Sequence, residues 1–125
     1  MNKVARILAA IPAVIFLIFG LRWLIEPSAA AQILGMTLLE GVGRSSQIGD
    51  MSAYFMGGSI MIVAGMITAN RTWLYASSLL IVLTAVFRVM AWLFHDAALA
   101  TSLIVSELIF TGMLMYAASR IPQEK

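Results

Sequence analysis

Four runs of about twenty apolar residues take up most of the chain, at residues 7–25, 51–69, 73–94 and 99–118. Each is long enough to cross the ~30 Å hydrocarbon core of a bilayer as a helix. Inside lipid an unpaired backbone amide or carbonyl costs several kcal/mol, so a segment of this kind must satisfy its own backbone as a helix does. The composition agrees: 62% of residues are hydrophobic and 11% charged, against about 25% charged in a soluble domain. The 125 residues allow one domain.

The connections fix the topology. Asn70-Arg71-Thr72 and His95-Asp96-Ala97-Ala98 are tight turns, which make successive helices antiparallel neighbours. The expected fold is an all-α, integral-membrane four-helix bundle with up-down topology. The long connection, residues 27–48, is expected to hold one or two short helices in the outer interface, with an ordinary loop as the alternative. Pro27 suits a first helical turn. Gly35, Gly41 and Gly43 are expected to break any longer helix, and Pro12 to kink the first span.

Basic residues set the orientation. Lys3, Arg6, Arg71, Arg120 and Lys125 fall on one side, with Arg44 alone in a loop on the other. The positive-inside rule then puts both termini in the cytoplasm, in a bacterial inner membrane. Trp73, Tyr75 and Tyr116 would mark the inner interface, Trp23 and Trp92 the outer one. A rival reading takes the basic start, the first apolar run and Ala29-Ala30-Ala31 as a signal peptide.

Two charges, Arg88 and Glu107, lie deep within the spans, and Arg22 lies near the end of the first. A full charge at the centre of a membrane helix costs roughly 2.5–3.5 kcal/mol on insertion scales, so it persists when paired, hydrated or in use. Counting at 1.5 Å per residue from the turn at Asp96-Ala97 puts Arg88 about 13 Å and Glu107 about 16 Å below the apex. A neutralising pair across this hairpin is the natural arrangement, and it is either a ligand site or a structural bond between helices. Further polar residues gather in the same outer half. Arg22 and Glu26 are four apart on one face. Asp50 opens the second span as a pairing group or N-cap, with Tyr54 one turn deeper. His95 lies seven residues beyond Arg88, in the turn. Together Arg88, Glu107, Asp50, Tyr54, Arg22, Glu26 and His95 form the candidate intramembrane polar site. Gly49, Ala53 and Gly57 make a small-residue stripe suited to close helix packing, expected within the chain rather than at a dimer seam.

Several chemistries are excluded or unsupported. There is no cysteine, which removes disulfides and thiolate chemistry. A single histidine argues against a zinc or haem site built from this chain, and no metal ligand set is expected. Gly41-Val42-Gly43 lacks the strand and helix of a phosphate loop. No nucleophile–His–acid set is credible, so no catalytic residue and no cofactor motif is assigned. Glu107 and Asp50 would form a carboxylate pair only if the second and fourth spans touch. The net charge of +2 is scattered at membrane edges, so nucleic acid is not an expected partner.

The run Asp50-Met51-Ser52-Ala53-Tyr54-Phe55-Met56-Gly57-Gly58, followed by Gly65, Arg88 and Glu107, resembles the pattern of DoxX-like small four-helix membrane proteins, nearest their DUF4345-type branch, whose role is unknown. The resemblance implies a four-helix bundle with polar residues gathered between helices, and it carries no catalytic residues to transfer. Some DoxX-like proteins are small subunits of membrane redox complexes that meet the quinone pool. Four-helix sterol isomerase and sigma-2-type proteins are a more distant comparison. They hold a ligand cation with intramembrane carboxylates, and this chain shows no aromatic-rich pocket signature of that kind.

Two functions follow as expectations. The first is an accessory subunit that docks a membrane-protein partner or a second copy, in a redox or lipid-handling complex. The alternative is a module, enzymatic or not, for a lipid, quinone or isoprenoid ligand in an outer polar pocket. Transport ranks below both, because broken helix pairs and internal repeats are missing.

Overall fold

A computed structural model describes residues 1–122, and Lys125, assigned above to the inner side, lies outside them. Five helices follow one another: α1 Lys3–Ile25, α2 Pro27–Ile33, α3 Gly41–Thr68, α4 Arg71–Phe94 and α5 Thr101–Ser119. No strand occurs among the described residues. Four of the helices, α1, α3, α4 and α5, are long and apolar enough to cross a membrane. Going round the bundle the order is α1, α3, α4, α5 and back to α1, and the short α2 lies against α1. This is the expected four-helix membrane bundle.

Its outer surface is that of an integral membrane protein. Val4, Ile25, Ile60, Ile67, Phe87 and Leu93 are all exposed. Such a surface would be an aggregation hazard in water, and acyl chains cover it in a bilayer.

Local signals set the helix ends. The Asn2 side chain accepts the Ala5 N–H at 2.7 Å and starts α1. Asn70 does the same for Thr72 at the head of α4. Gly35, with φ +74°, closes α2; the Met36 N–H reaches back to the Ala31 carbonyl at 2.9 Å and the Gly35 N–H to Gln32 at 3.0 Å, the paired bonds of a Schellman end. Pro12 sits inside α1, which runs unbroken across it.

The two ends of the bundle are packed differently. The end that carries the N-terminus is built from small residues. Ala5, Ala9 and Ala13 of α1 and Ala117 and Ala118 of α5 are buried, with Ser77 and Ser78 of α4. Both serine hydroxyls fold back onto the Leu74 carbonyl. The Arg71 guanidinium donates to the Ile121 carbonyl and ties the start of α4 to the end of α5. Ser59 of α3 donates to the Ala13 carbonyl of α1 at 2.8 Å. In the other half the packing is aromatic, with Phe16, Phe19, Tyr54 and Phe55 in contact.

Four expectations need correction. First, the second span starts at Gly41 rather than at residue 51, so the connection holds one short helix. Gly41 and Gly43 do not break α3 because they occupy its first turn, where the N–H groups have no intrahelical acceptor in any case; Gly41 uses φ +59° to turn into it. At 28 residues α3 is about 42 Å long, more than the hydrocarbon thickness, so its polar first turns project beyond the core. Arg44 therefore lies in a helix, not a loop.

Second, Asp50 is the tenth residue of α3 and caps nothing, since the N-cap position belongs to Glu40. Third, Trp23 is fully buried in the same cluster as Ala30 and Ala31 of α2. It faces inward under that helix instead of the outer lipid interface. Fourth, the Gly49–Ala53–Gly57 stripe does not pack within the chain: a Cβ at Gly49 or Gly57 would meet nothing within 4 Å, and Ala53 is exposed. The close helix approaches use Gly20 against Met56 and Gly58 against Phe16.

Candidate functional site

Arg88 on α4 and Glu107 on α5 meet across the hairpin, Nε to Oε1, at 2.6 Å. The pairing has one bond only. Among the described residues the two terminal guanidinium nitrogens find no acceptor, and Glu107 Oε2 is buried without a partner. A side-on arginine–carboxylate pair would make two parallel bonds, so half of that capacity is unused. The carboxylate is the more enclosed partner, with 11% of its side chain exposed against 27% for the arginine.

The pair forms one wall of a partly open cavity of about 270 Å³ between the helices. All four spans contribute: Ile15, Phe16 and Phe19 from α1, Tyr54 and Phe55 from α3, Thr84 and Arg88 from α4, and Leu103, Ser106, Glu107 and Phe110 from α5. Ile33 and Leu34, at the end of α2, complete the wall. Phe16 is the hub of its aromatic part. Its ring centroid is 5.0 Å from Phe55, 5.5 Å from Tyr54 and 6.1 Å from Phe110. These edge-on and tilted contacts are the favoured ones for aromatic pairs, and they stiffen the wall. An aromatic-rich pocket is therefore present, contrary to the sequence reading.

The hydroxyls in the wall are already occupied. Thr84 Oγ1 lies 2.8 Å from the Leu80 carbonyl and 3.1 Å from the Tyr54 hydroxyl. Threonine has one proton for these two contacts, so with Thr84 donating to Leu80, Tyr54 donates to Thr84. Ser106 donates to the Ser102 carbonyl at 3.0 Å. That leaves Arg88 as the wall's donor with capacity to spare and Glu107 as its charged acceptor.

A second cavity, about 550 Å³ and more open, lies on the other side of Arg88. Leu34, Tyr54, Phe55, Thr84 and Arg88 line both cavities, and Met36, Asp50, Met51, Phe87 and Ala91 belong to the second alone. Arg88 and Tyr54 thus form a partition. Asp50 stands on its open side and, among the described residues, makes no ion pair with Arg88. Asp50 and Glu107 line different cavities, and α3 and α5 lie diagonally across the bundle, so the carboxylate pair is not formed.

The remaining candidates lie elsewhere. Arg22 and Glu26 form an exposed contact at 3.7 Å and line neither cavity. His95 is the exposed C-cap of α4 and also lines neither. Thr84, Ser106 and the four phenylalanines were missed from the sequence. Thr84 was within reach, being four residues before Arg88 on one helix face, as was Phe110, three after Glu107. No group of three or more potential metal ligands occurs among the described residues. Comparison with protein-family models, curated proteins and solved structures gives no match.

Proposed function

We propose that this protein is a membrane-embedded binding module for a single-headed apolar molecule of the lipid, isoprenoid or quinone kind. The cavity carries this reading: it is lined by all four spans, walled by aromatic rings, and bounded by an ion pair that uses half of its hydrogen-bonding capacity. Ligand sites are mostly apolar concavities with a few convergent polar groups, and an intramembrane charge is a functional-site hypothesis by default. The ligand would come through the more open cavity beside Asp50 and pass the Arg88–Tyr54 partition. Both termini would face the cytoplasm, in a bacterial inner membrane, and the chain would belong with the DoxX-like proteins.

Native mass spectrometry from mild detergent tests the reading, with Leu103→Trp as a variant that fills the cavity. The expected result is a small apolar adduct on the wild type that the variant loses. An adduct-free wild type, or one retained by the variant, would overturn it.

A second reading is favoured by a separate observation. The Gly49–Ala53–Gly57 face of α3 is open to the outside, and small-residue faces let another helix approach closely. It makes the chain an accessory subunit whose α3 docks a partner helix, in a redox or lipid-handling assembly. Cross-linking from a cysteine introduced at Ala53 in native membranes tests it; a chain that stays uncross-linked in those membranes would end this reading.

A further inference from the structure

We infer that the cavity selects a neutral head group carrying a hydrogen-bond acceptor and a donor side by side, as in a carboxamide, rather than an ionic head or an acceptor alone. This rests on the ligand-binding reading above and adds the chemistry of the ligand.

The unused groups at the cavity wall come as a matched set. Arg88 has terminal N–H groups without acceptors, and Glu107 has a carboxylate oxygen without a donor. The first needs an acceptor and the second a donor. Oε2 is covered in the resting arrangement. A half-turn of the carboxylate only exchanges the two oxygens, but each carboxylate oxygen can accept a second bond, so a donor in the cavity reaches Oε1 beside its bond from Arg88, or Oε2 once the side chains over it shift. Tyr54, Thr84 and Ser106 have their hydroxyl protons engaged already, so donation to a ligand falls to Arg88, with Glu107 as the charged acceptor beside it.

Charge balance excludes the ionic heads. Arg88 and Glu107 neutralise each other, and each is the other's only ionic partner among the described residues. An anionic head would draw Arg88 away and leave an uncompensated carboxylate in an apolar wall; a cationic head would do the converse to the arginine. Removing one partner from a buried pair is strongly unfavourable. A neutral head leaves the pair intact and fills its idle valences. An acceptor-only head fills one side and leaves Glu107 as it is.

The experiment uses the full chain in lipid nanodiscs and four probes with the same alkyl chain: dodecanamide, methyl dodecanoate, dodecanoate and dodecylammonium. Binding is corrected for partition into empty nanodiscs, and Leu103→Trp is run alongside to locate the signal. Dodecanamide is expected to bind at least about tenfold more tightly than the ester, which is the effect of one hydrogen bond to a charged group. Both ionic probes are expected to fall below the amide. Equal binding of ester and amide, or an ionic probe that binds best, overturns the inference while leaving a binding module in place. Failure of all four probes to bind above partition overturns the inference and the ligand-binding reading together. Should Leu103→Trp not fold, the ranking of the four probes on the wild type decides alone.

Discussion

Glu107 receives a single hydrogen bond from Arg88, at 2.6 Å, and its other oxygen is buried with no partner. The two charges are therefore coupled but not saturated. Replacing one of them leaves the other in an apolar wall, while replacing both removes the problem. Arg88→Met and Glu107→Gln are each expected to lower stability by about 3 kcal/mol, the lower end for breaking a buried pair, because the arginine side chain is 27% exposed. The double variant is expected to lie closer to the wild type than either single one. Unfolding of all four proteins by denaturing detergent gives the coupling energy. A value near the ~0.6 kcal/mol average for hydrogen bonds between membrane helices would count against this description of the pair.

Adjacent glycines on α3 are expected to respond in opposite ways. A Cβ on Gly58 would stand 2.7 Å from Phe16 Cδ2, whereas one on Gly57 meets nothing within 4 Å. The Phe16 ring cannot easily yield, being held by Tyr54, Phe55 and Phe110. Gly58→Ala should cost about 1–3 kcal/mol, as overpacking does. Gly57→Ala should be neutral or gain up to ~1 kcal/mol from helix propensity. Midpoints of thermal unfolding in detergent separate the two; equal effects would mean that α1 and α3 do not approach closely at Gly58.

The parts of this molecule that the sequence revealed are those that a bilayer dictates. Span number follows from apolar run length, and the partner of Arg88 follows from counting residues down a tight hairpin. What stayed hidden has one physical origin. A helix in lipid is apolar all round, so periodicity cannot show which side faces inward. Trp23 on α1 could have faced lipid or core, and only packing decides for the core. For the same reason Phe16, Phe19, Phe55 and Phe110 gave no sign that they converge from three helices. The start of α3 was missed for a different reason: the stretch from Arg44 to Asp50 is helical but polar, and a search for apolar runs passes over it. The small-residue stripe was expected to pack within the chain, whereas the close approaches fall at Gly20 and Gly58, which lie outside it.

Trp23 offers a test of burial without satisfaction. It is fully buried, and its Nε1–H has no acceptor among the described residues. An unsatisfied buried donor costs about 1–3 kcal/mol. Trp23→Phe removes that cost and leaves a small void, which at ~24 cal/mol per Å³ costs about 1 kcal/mol. The variant should therefore match the wild type to within about 1 kcal/mol, while Trp23→Ala loses about 3–5 kcal/mol. Thermal unfolding in detergent checks both. A large loss for the phenylalanine variant would mean that the indole N–H has a partner, such as an internal water.

The outer wall of the cavity depends on a clamp that lies outside the membrane core. Leu34 follows α2 directly, and the strand of chain after it is held down on the first turns of α3. Gln47 Oε1 accepts the Leu39 N–H at 2.8 Å, its amide donates to the Thr37 carbonyl at 3.1 Å, and Arg44 Nε donates to the Leu39 carbonyl at 2.8 Å. These bonds are exposed to solvent, so each contributes little to global stability, about 1 kcal/mol, but they add to the hold of Met36 and Leu38, which pack against the core. Gln47→Ala should leave the unfolding midpoint almost unchanged and raise hydrogen exchange at the Leu39 amide about fivefold, the equivalent of one such bond lost from a local opening. Dissociation of a ligand of the proposed kind should quicken in step, because Ile33 and Leu34 of the cavity wall lead directly into the freed segment. Exchange mass spectrometry on the wild type and the variant measures the first effect. Unchanged protection at Leu39 would show that the loop is held by its apolar residues and not by Gln47.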